Sequence, residues 1–99
     1  MIVKPVIIRR TAQNSIMELY NYLVDIGYPY TANQYISQMR TFILSLGNFP
    51  EKNPLCKYPL FRKEKLRCAI FKKHWIIPYE ITDDKVIVRN VIHSSRLNF

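Results

Sequence analysis

The alternation of apolar and polar positions is clearest in the last third of the chain. Leu66–Phe71, Trp75–Ile81 and Lys85–Ile92 are rich in β-branched and aromatic residues, which suit a pleated, half-buried surface. The breaks, Lys72-Lys73-His74 and Thr82-Asp83-Asp84, are short and polar. Connections that short join only antiparallel neighbours, since a parallel return needs a dozen residues or more. The pattern therefore predicts a three-stranded meander. Pro78 conflicts with it, because a strand interior needs every backbone N–H. Its position calls for either a bulge or an unpaired side of the strand.

Upstream the period changes from two to about 3.6. Ile16, Leu19, Tyr20, Leu23 and Ile26 predict a helix over 11–26, with Thr11, Asn14 or Ser15 as N-cap and Gly27 as a left-handed stop. Ala32, Tyr35, Ile36, Met39, Phe42, Ile43 and Leu46 predict a second helix over 31–46, ended in the same way by Gly47. Tyr28-Pro29 separates the two, so they form an antiparallel hairpin. Val3–Ile8 reads as a short strand with Pro5 near its start, expected beside the meander because a lone strand is not stable. Residues 49–62, punctuated by Pro50, Pro54 and Pro59, read as loop. The expected fold is α+β: an N-terminal strand and a helical hairpin packed on one face of a small, antiparallel-rich sheet completed by the C-terminal meander. Ninety-nine residues make one domain, 1–99.

Composition narrows the class. A hydrophobic share of 48% with only two glycines fits a folded globule. No apolar run is long enough to span a bilayer, so no membrane partner is expected. The apolar start is too short for a signal peptide, and the chain is read as cytoplasmic. On that reading Cys56 and Cys68, whose spacing matches no metal motif, are reduced, and Cys68 is a small buried hydrophobe.

The net charge is +8, unevenly spread. Residues 1–50 carry four basic and two acidic side chains, residues 51–99 eleven and five. Such a one-sided field attracts a polyanion or an acidic protein. The cluster comprises Lys57, Arg62, Lys63, Lys65, Arg67, Lys72, Lys73, Arg89 and Arg96. By strand parity Arg67, Arg89 and His93 could converge on one sheet face. There the guanidinium groups could hold phosphate and the His93 imidazole could serve as general acid or base. The plainer alternative is a solvated face that discourages aggregation. Phe71, Trp75 and Tyr79 could stack on bases, or simply fill the core. Tyr20, Tyr22, Tyr28, Tyr30 and Tyr35 crowd the hairpin, where exposed rings would mark a partner site. Glu51 reads as a solvated loop charge. No catalytic motif of high specificity and no metal-ligand spacing is present.

Four stretches together carry a resemblance: Leu19-Tyr20-Asn21-Tyr22-Leu23, Leu46-Gly47-Asn48-Phe49-Pro50-Glu51, Ile77-Pro78-Tyr79-Glu80-Ile81-Thr82 and Val86 through Arg96. In order and spacing they resemble the RelE/ParE superfamily, the toxin half of bacterial type II toxin–antitoxin pairs, over nearly the whole chain. The resemblance implies a growth-inhibiting toxin, of the plasmid-stabilisation kind, neutralised by a small antitoxin that lays a helix in an apolar groove. It also implies an operon repressed through that antitoxin, and neither cofactor, metal nor small-molecule substrate.

Two targets are known in the superfamily. RelE-like members cut messenger RNA in the ribosomal A site with sheet Arg and Lys and often a C-terminal Tyr or His. ParE-like members act on DNA gyrase without that set. The tail His93-Ser94-Ser95-Arg96-Leu97-Asn98-Phe99 has no Tyr, and Phe99 offers no hydroxyl. By motif the chain therefore resembles ParE, and gyrase is the expected target. Arg62, Lys63, Lys65, Lys72, Lys73 and Arg89 form the expected target-binding patch. In the RelE-like alternative, an endoribonuclease acting on ribosome-bound messenger RNA, Arg67, His93 and Arg96 would be catalytic. A non-enzymatic RNA-binding module is a second alternative, from charge and aromatics alone.

Overall fold

The computed structural model describes residues 3–97. Strand β1 (Val6–Ile8) leads into helix α1 (Arg10–Asp25) and helix α2 (Pro29–Leu44). A 3-10 turn (Ser45–Gly47), a second (Pro50–Lys52) and a short helix α3 (Pro59–Lys63) follow. Then come β2 (Arg67–Phe71), β3 (Trp75–Ile81), β4 (Val86–Val88) and β5 (Ile92–His93), and a last 3-10 turn (Ser94–Arg96). The sheet is mixed, in the order β1-β4-β3-β2, with β5 also on β3. β1 runs parallel to β4, with Val6 opposite Val86, and every other pair is antiparallel.

The hairpin forms as the periodicity requires. Ala12 and Ile16 of α1, and Ile36, Met39 and Ile43 of α2, are buried against Ala69, Phe71, Ile77, Tyr79, Val86 and Val88 of the sheet; Ala32 is buried as well. Tyr35 and Phe42 pack their rings on Phe71, with centroids 5.7 and 5.3 Å away. These sheet positions, odd-numbered in β2 and β3 and even-numbered in β4, share one side of the pleat, so the helices cover an inner face.

Helix boundaries differ from expectation at both starts. α1 begins at Arg10, with Arg9 as N-cap and no side-chain cap. Gln13 Nε2 instead donates to the Ile8 carbonyl at 3.0 Å. α2 begins at Pro29, whose fixed φ and missing N–H suit the first helical position. The exit of α1 is as expected: Gly27 sits at φ +97°, Tyr28 N–H reaches Leu23 O, and Gly27 N–H reaches Val24 O. That is a Schellman cap.

Gly47 has a different reason to be glycine. It is not left-handed; a Cβ there would lie 2.1 Å from Lys4 O, because Lys4 N–H donates to Gly47 O as the chain crosses. The left-handed residue is Phe49, at φ 51°.

The third meander run is not one strand. It splits into β4 and β5, which pair with opposite ends of β3: Val88 with Tyr79, and Ile92 with Ile76. Pro78 lies opposite the gap. Its carbonyl accepts from Arg89 N–H at 2.9 Å, so its ring nitrogen faces the same interruption. The missing donor is accommodated by a bulge in the neighbour. On the other flank Pro78 stands opposite Cys68, whose N–H turns outward to Pro54 O.

The thiols are not reduced. Cys56 and Cys68 form a disulfide, which corrects the expectation drawn from the cytoplasmic reading. The bond ties the 54–56 segment to the β2 edge, where Leu55 bridges to Arg67 and Cys56 N–H donates to Leu66 O. Residues 49–62 are accordingly more ordered than a loop.

Candidate functional site

Two places gather the polar side chains that sequence singles out, at opposite ends of β3. At the Arg67 end they are consumed by the fold. Arg67 Nη1 donates to Glu51 O at 3.1 Å and to Asn53 O at 2.5 Å. Beside it Tyr79, fully buried, donates its hydroxyl to Pro50 O at 2.5 Å and accepts from Asn53 Nδ2 at 3.2 Å. Burial pushes the Tyr79 phenol above its ordinary value, against the opposing pull of the Asn53 hydrogen bond. The pair is a clamp on the 50–53 turn. A carbonyl-capped guanidinium satisfies backbone acceptors that would otherwise be stranded.

At the other end β5 and the tail fold against α1 and enclose a pocket of about 440 Å³. Its walls are Ser15, Glu18, Leu19 and Tyr22 of α1, with Trp75, Val91, His93, Ser95 and Arg96. His93 is fixed from three sides. Its Nδ1 lies 2.8 Å from Ser95 Oγ. Its ring stacks on His74 (centroids 5.6 Å, planes 15° apart) and meets Trp75 edge-on at 5.1 Å. Ser15 Oγ donates to Asn90 Oδ1 at 2.9 Å, and the same oxygen accepts from Val91 N–H, which holds the tail on the helix. A concave wall with apolar rings and a few convergent polar groups has the make-up of a ligand pocket.

The expected convergence of Arg67, Arg89 and His93 does not occur. Arg67 stands opposite Tyr79, and His93 opposite Trp75, on the other flank of β3. At about 3.3 Å per residue and about 4.8 Å per strand, they are roughly 16 Å apart. Arg89 is on the outer face, bound to Glu80 at 2.9 Å and to Glu64 at 3.0 Å. Only His93 and Arg96 share a site.

The remaining patch residues divide the same way along β2. Arg62 and Lys63 end α3, with Lys65 just beyond; Lys72 and Lys73 form the β2–β3 turn. All five are exposed. Lys72 lies over the Tyr35 ring at 5.1 Å, a cation–π contact. Lys65, Lys72 and Lys73 all have positive φ, at 59°, 48° and 69°. Phe71 and Tyr79 are core, and Trp75 packs against it. Of the hairpin tyrosines, Tyr22, Tyr28 and Tyr30 are exposed, while Tyr20 and Tyr35 pack partly on the core. Phe99 lies outside the described residues.

Sequence reasoning missed the clamp on Pro50, Glu51 and Asn53, because its acceptors are backbone carbonyls with no residue signature. It also missed Glu18 and Ser15 as pocket walls. Their spacing, Ser15 one turn before Glu18 and Leu19 and Glu18 one turn before Tyr22, was the available signal.

Comparison with known proteins gives one family. The model for the ParE toxin of the type II toxin–antitoxin system, parDE, matches residues 6–98. Among curated sequences nothing matches. A chain of the solved chromosomal ParDE TA system from P. aeruginosa is similar in fold, with a TM-score of 0.76 at 11% identity, covering 92% of this chain and 96% of that one.

Proposed function

The chain belongs to the ParE toxin family of type II toxin–antitoxin systems, and from that premise we propose that it arrests growth by inhibiting DNA gyrase. A toxin of such a system has a cognate antitoxin as its partner. The observation that supports gyrase over messenger RNA is the Arg67 clamp. A guanidinium spent on two carbonyls, roughly 16 Å from His93, is a poor phosphate ligand for in-line cleavage. In this reading Arg62, Lys63, Lys65, Lys72 and Lys73 contact the target electrostatically, and Arg89 braces the surface through Glu64. The protein works in the cytoplasm, where gyrase is; among the described residues no helix is long and apolar enough to cross a membrane.

The antitoxin, in the same reading, covers the exposed side of the helical hairpin. Met17, Tyr22, Ile26, Tyr28 and Tyr30 are all about half exposed or more, up to 73% for Tyr30. Isolated tyrosines at a surface are ordinary, but this many along one hairpin suit a partner's apolar helix.

Purified protein at micromolar concentration is expected to block gyrase supercoiling or to trap cleaved DNA; no effect on either rejects the reading. The ribonuclease alternative keeps one supporting observation, that His93 and Arg96 line the same pocket. It requires codon-positioned cuts by primer extension on messenger RNA from induced cells, lost when His93→Ala and Arg96→Ala are combined.

A further inference from the structure

The gyrase reading makes no use of the pocket between α1 and the tail, and the pocket's charges are unspent. Glu18 stands on the α1 wall and Arg96 on the tail wall. Among the described residues neither makes an ion pair or a side-chain hydrogen bond. Ser15 differs, since its hydroxyl is taken by Asn90. His93 Nδ1 accepts from Ser95 N–H at 3.2 Å, so in the neutral ring the proton sits on Nε2, a donor. The rings of Trp75 and His93 give the pocket flat surfaces, with the exposed Tyr22 beside them. A volume of about 440 Å³ suits one small ligand.

A carboxylate only accepts and a guanidinium only donates. A ligand that satisfies both walls therefore brings a donor edge and an anion, joined by a flat body that can lie on the rings. A free amino acid carries its two charges on one carbon, too close together to reach both walls of such a cavity. Nucleotides have the required layout, and the carboxylate selects among them. Guanine alone sets two donors side by side, N1–H and the N2 amino group, matching the two oxygens of Glu18. Adenine and cytosine put an acceptor beside their amino group, and uracil flanks its N–H with two carbonyls. Each of those turns a lone pair toward the carboxylate. We propose that this pocket binds a guanine mononucleotide. Glu18 reads the base edge, the base stacks on the wall of Trp75 and His93, and Arg96 holds the phosphate through paired N–H donors. A net charge of +8 favours the arrival of such an anion.

Trp75 is the only tryptophan, so its fluorescence reports occupancy. The full-length protein is titrated with GMP, AMP and inorganic phosphate, with calorimetry as a second readout free of nucleotide absorbance. GMP is expected to quench saturably and to bind about tenfold tighter than AMP, with phosphate weaker than both. In Glu18→Gln the amide presents one acceptor beside one donor. That variant should bind GMP and AMP within about twofold of each other, with AMP affinity retained. Arg96→Ala should weaken both nucleotides alike, about tenfold, and leave guanosine unchanged. Both side chains are exposed, so the fold is expected to survive, and melting temperatures without ligand check this. Equal affinity of the wild type for GMP and AMP would overturn the assignment. So would the absence of saturable binding below about 1 mM, or a guanine preference that survives Glu18→Gln. A trinucleotide UpGpU that binds more tightly than GMP would put RNA in place of the free nucleotide and overturn it too. None of these measurements contains gyrase, so loss of the gyrase reading leaves their outcomes unchanged.

Discussion

The two ends of β3 carry similar residues and use them in opposite ways. At the Arg67 end an arginine, a tyrosine and an asparagine meet three backbone carbonyls, and the turn at 50–53 is fastened. At the His93 end a histidine, an arginine, two serines and a glutamate surround a pocket on α1. Side-chain type is no guide to which end is which. What separates them is the backbone nearby. A turn with unpaired carbonyls draws in the guanidinium, whereas the tail satisfies its own backbone through Asn90 and the 3-10 turn at 94–96 and leaves its side chains to the pocket.

Substitution should separate the two ends. Arg67→Ala removes two charge-assisted hydrogen bonds and strands two carbonyls. It is expected to cost about 3 kcal/mol in urea unfolding, with Arg67→Lys recovering part. If Arg67→Ala folds with unchanged stability yet loses toxicity, the residue is functional and the contrast between the ends collapses.

Tyr79→Phe should cost about 1–2 kcal/mol, because Pro50 O loses its donor. It also carries a pH signature. Burial raises the folded-state value above the ordinary 10.0, so the folded protein keeps the proton to higher pH than the unfolded chain. This contribution is complete below the unfolded value and is lost as pH rises through the folded one. The wild-type stability curve is expected to fall more steeply above pH 10 than that of Tyr79→Phe, measured by chemical denaturation.

Smaller effects are expected on the outer face. Glu64→Gln should change stability by about 0.2–1 kcal/mol, less at high salt. Arg96→Ala should fall within about 0.5 kcal/mol of wild type and leave growth arrest on induction intact, since the gyrase reading gives its pocket no part; loss of arrest would favour the ribonuclease alternative. Lys73→Gly probes the strained turn. Glycine accepts the positive φ without penalty, so a gain of about 1 kcal/mol is expected in thermal unfolding, together with weaker target binding.

Much of the fold is legible in the chain because periodicity reports burial. Ala32, Ile36, Met39, Ile43 and Leu46, and Ala69, Phe71, Ile77 and Tyr79, are buried for the reason their spacing implies. The break in the last run is not legible the same way. Val86 through Ile92 is continuously apolar or β-branched apart from Arg89 and Asn90, and only Pro78, on another strand, records that pairing fails there. Gly47 reads as a helix stop when its role is steric, since the atom it avoids belongs to Lys4, far away in sequence. The disulfide is invisible because two cysteines twelve apart have no distinctive spacing, and the expected compartment argued against one. At the site, His93 and Arg96 are legible as chemistry. The immobilisation of Arg67 is not, because carbonyl acceptors occur at every position.

The parallel pairing of Val6 with Val86 also bears on synthesis. β1 leaves the ribosome ahead of both helices, and its hydrogen-bonding partner follows only after the helices, β2 and β3. Contacts of such long sequence separation form late, so a growing chain holds its helical hairpin long before its sheet can close. A prematurely terminated product that stops short of Val86 would keep the tyrosine-rich hairpin and the Arg67 clamp, but leave β1 without its partner strand and the His93 pocket without its tail walls.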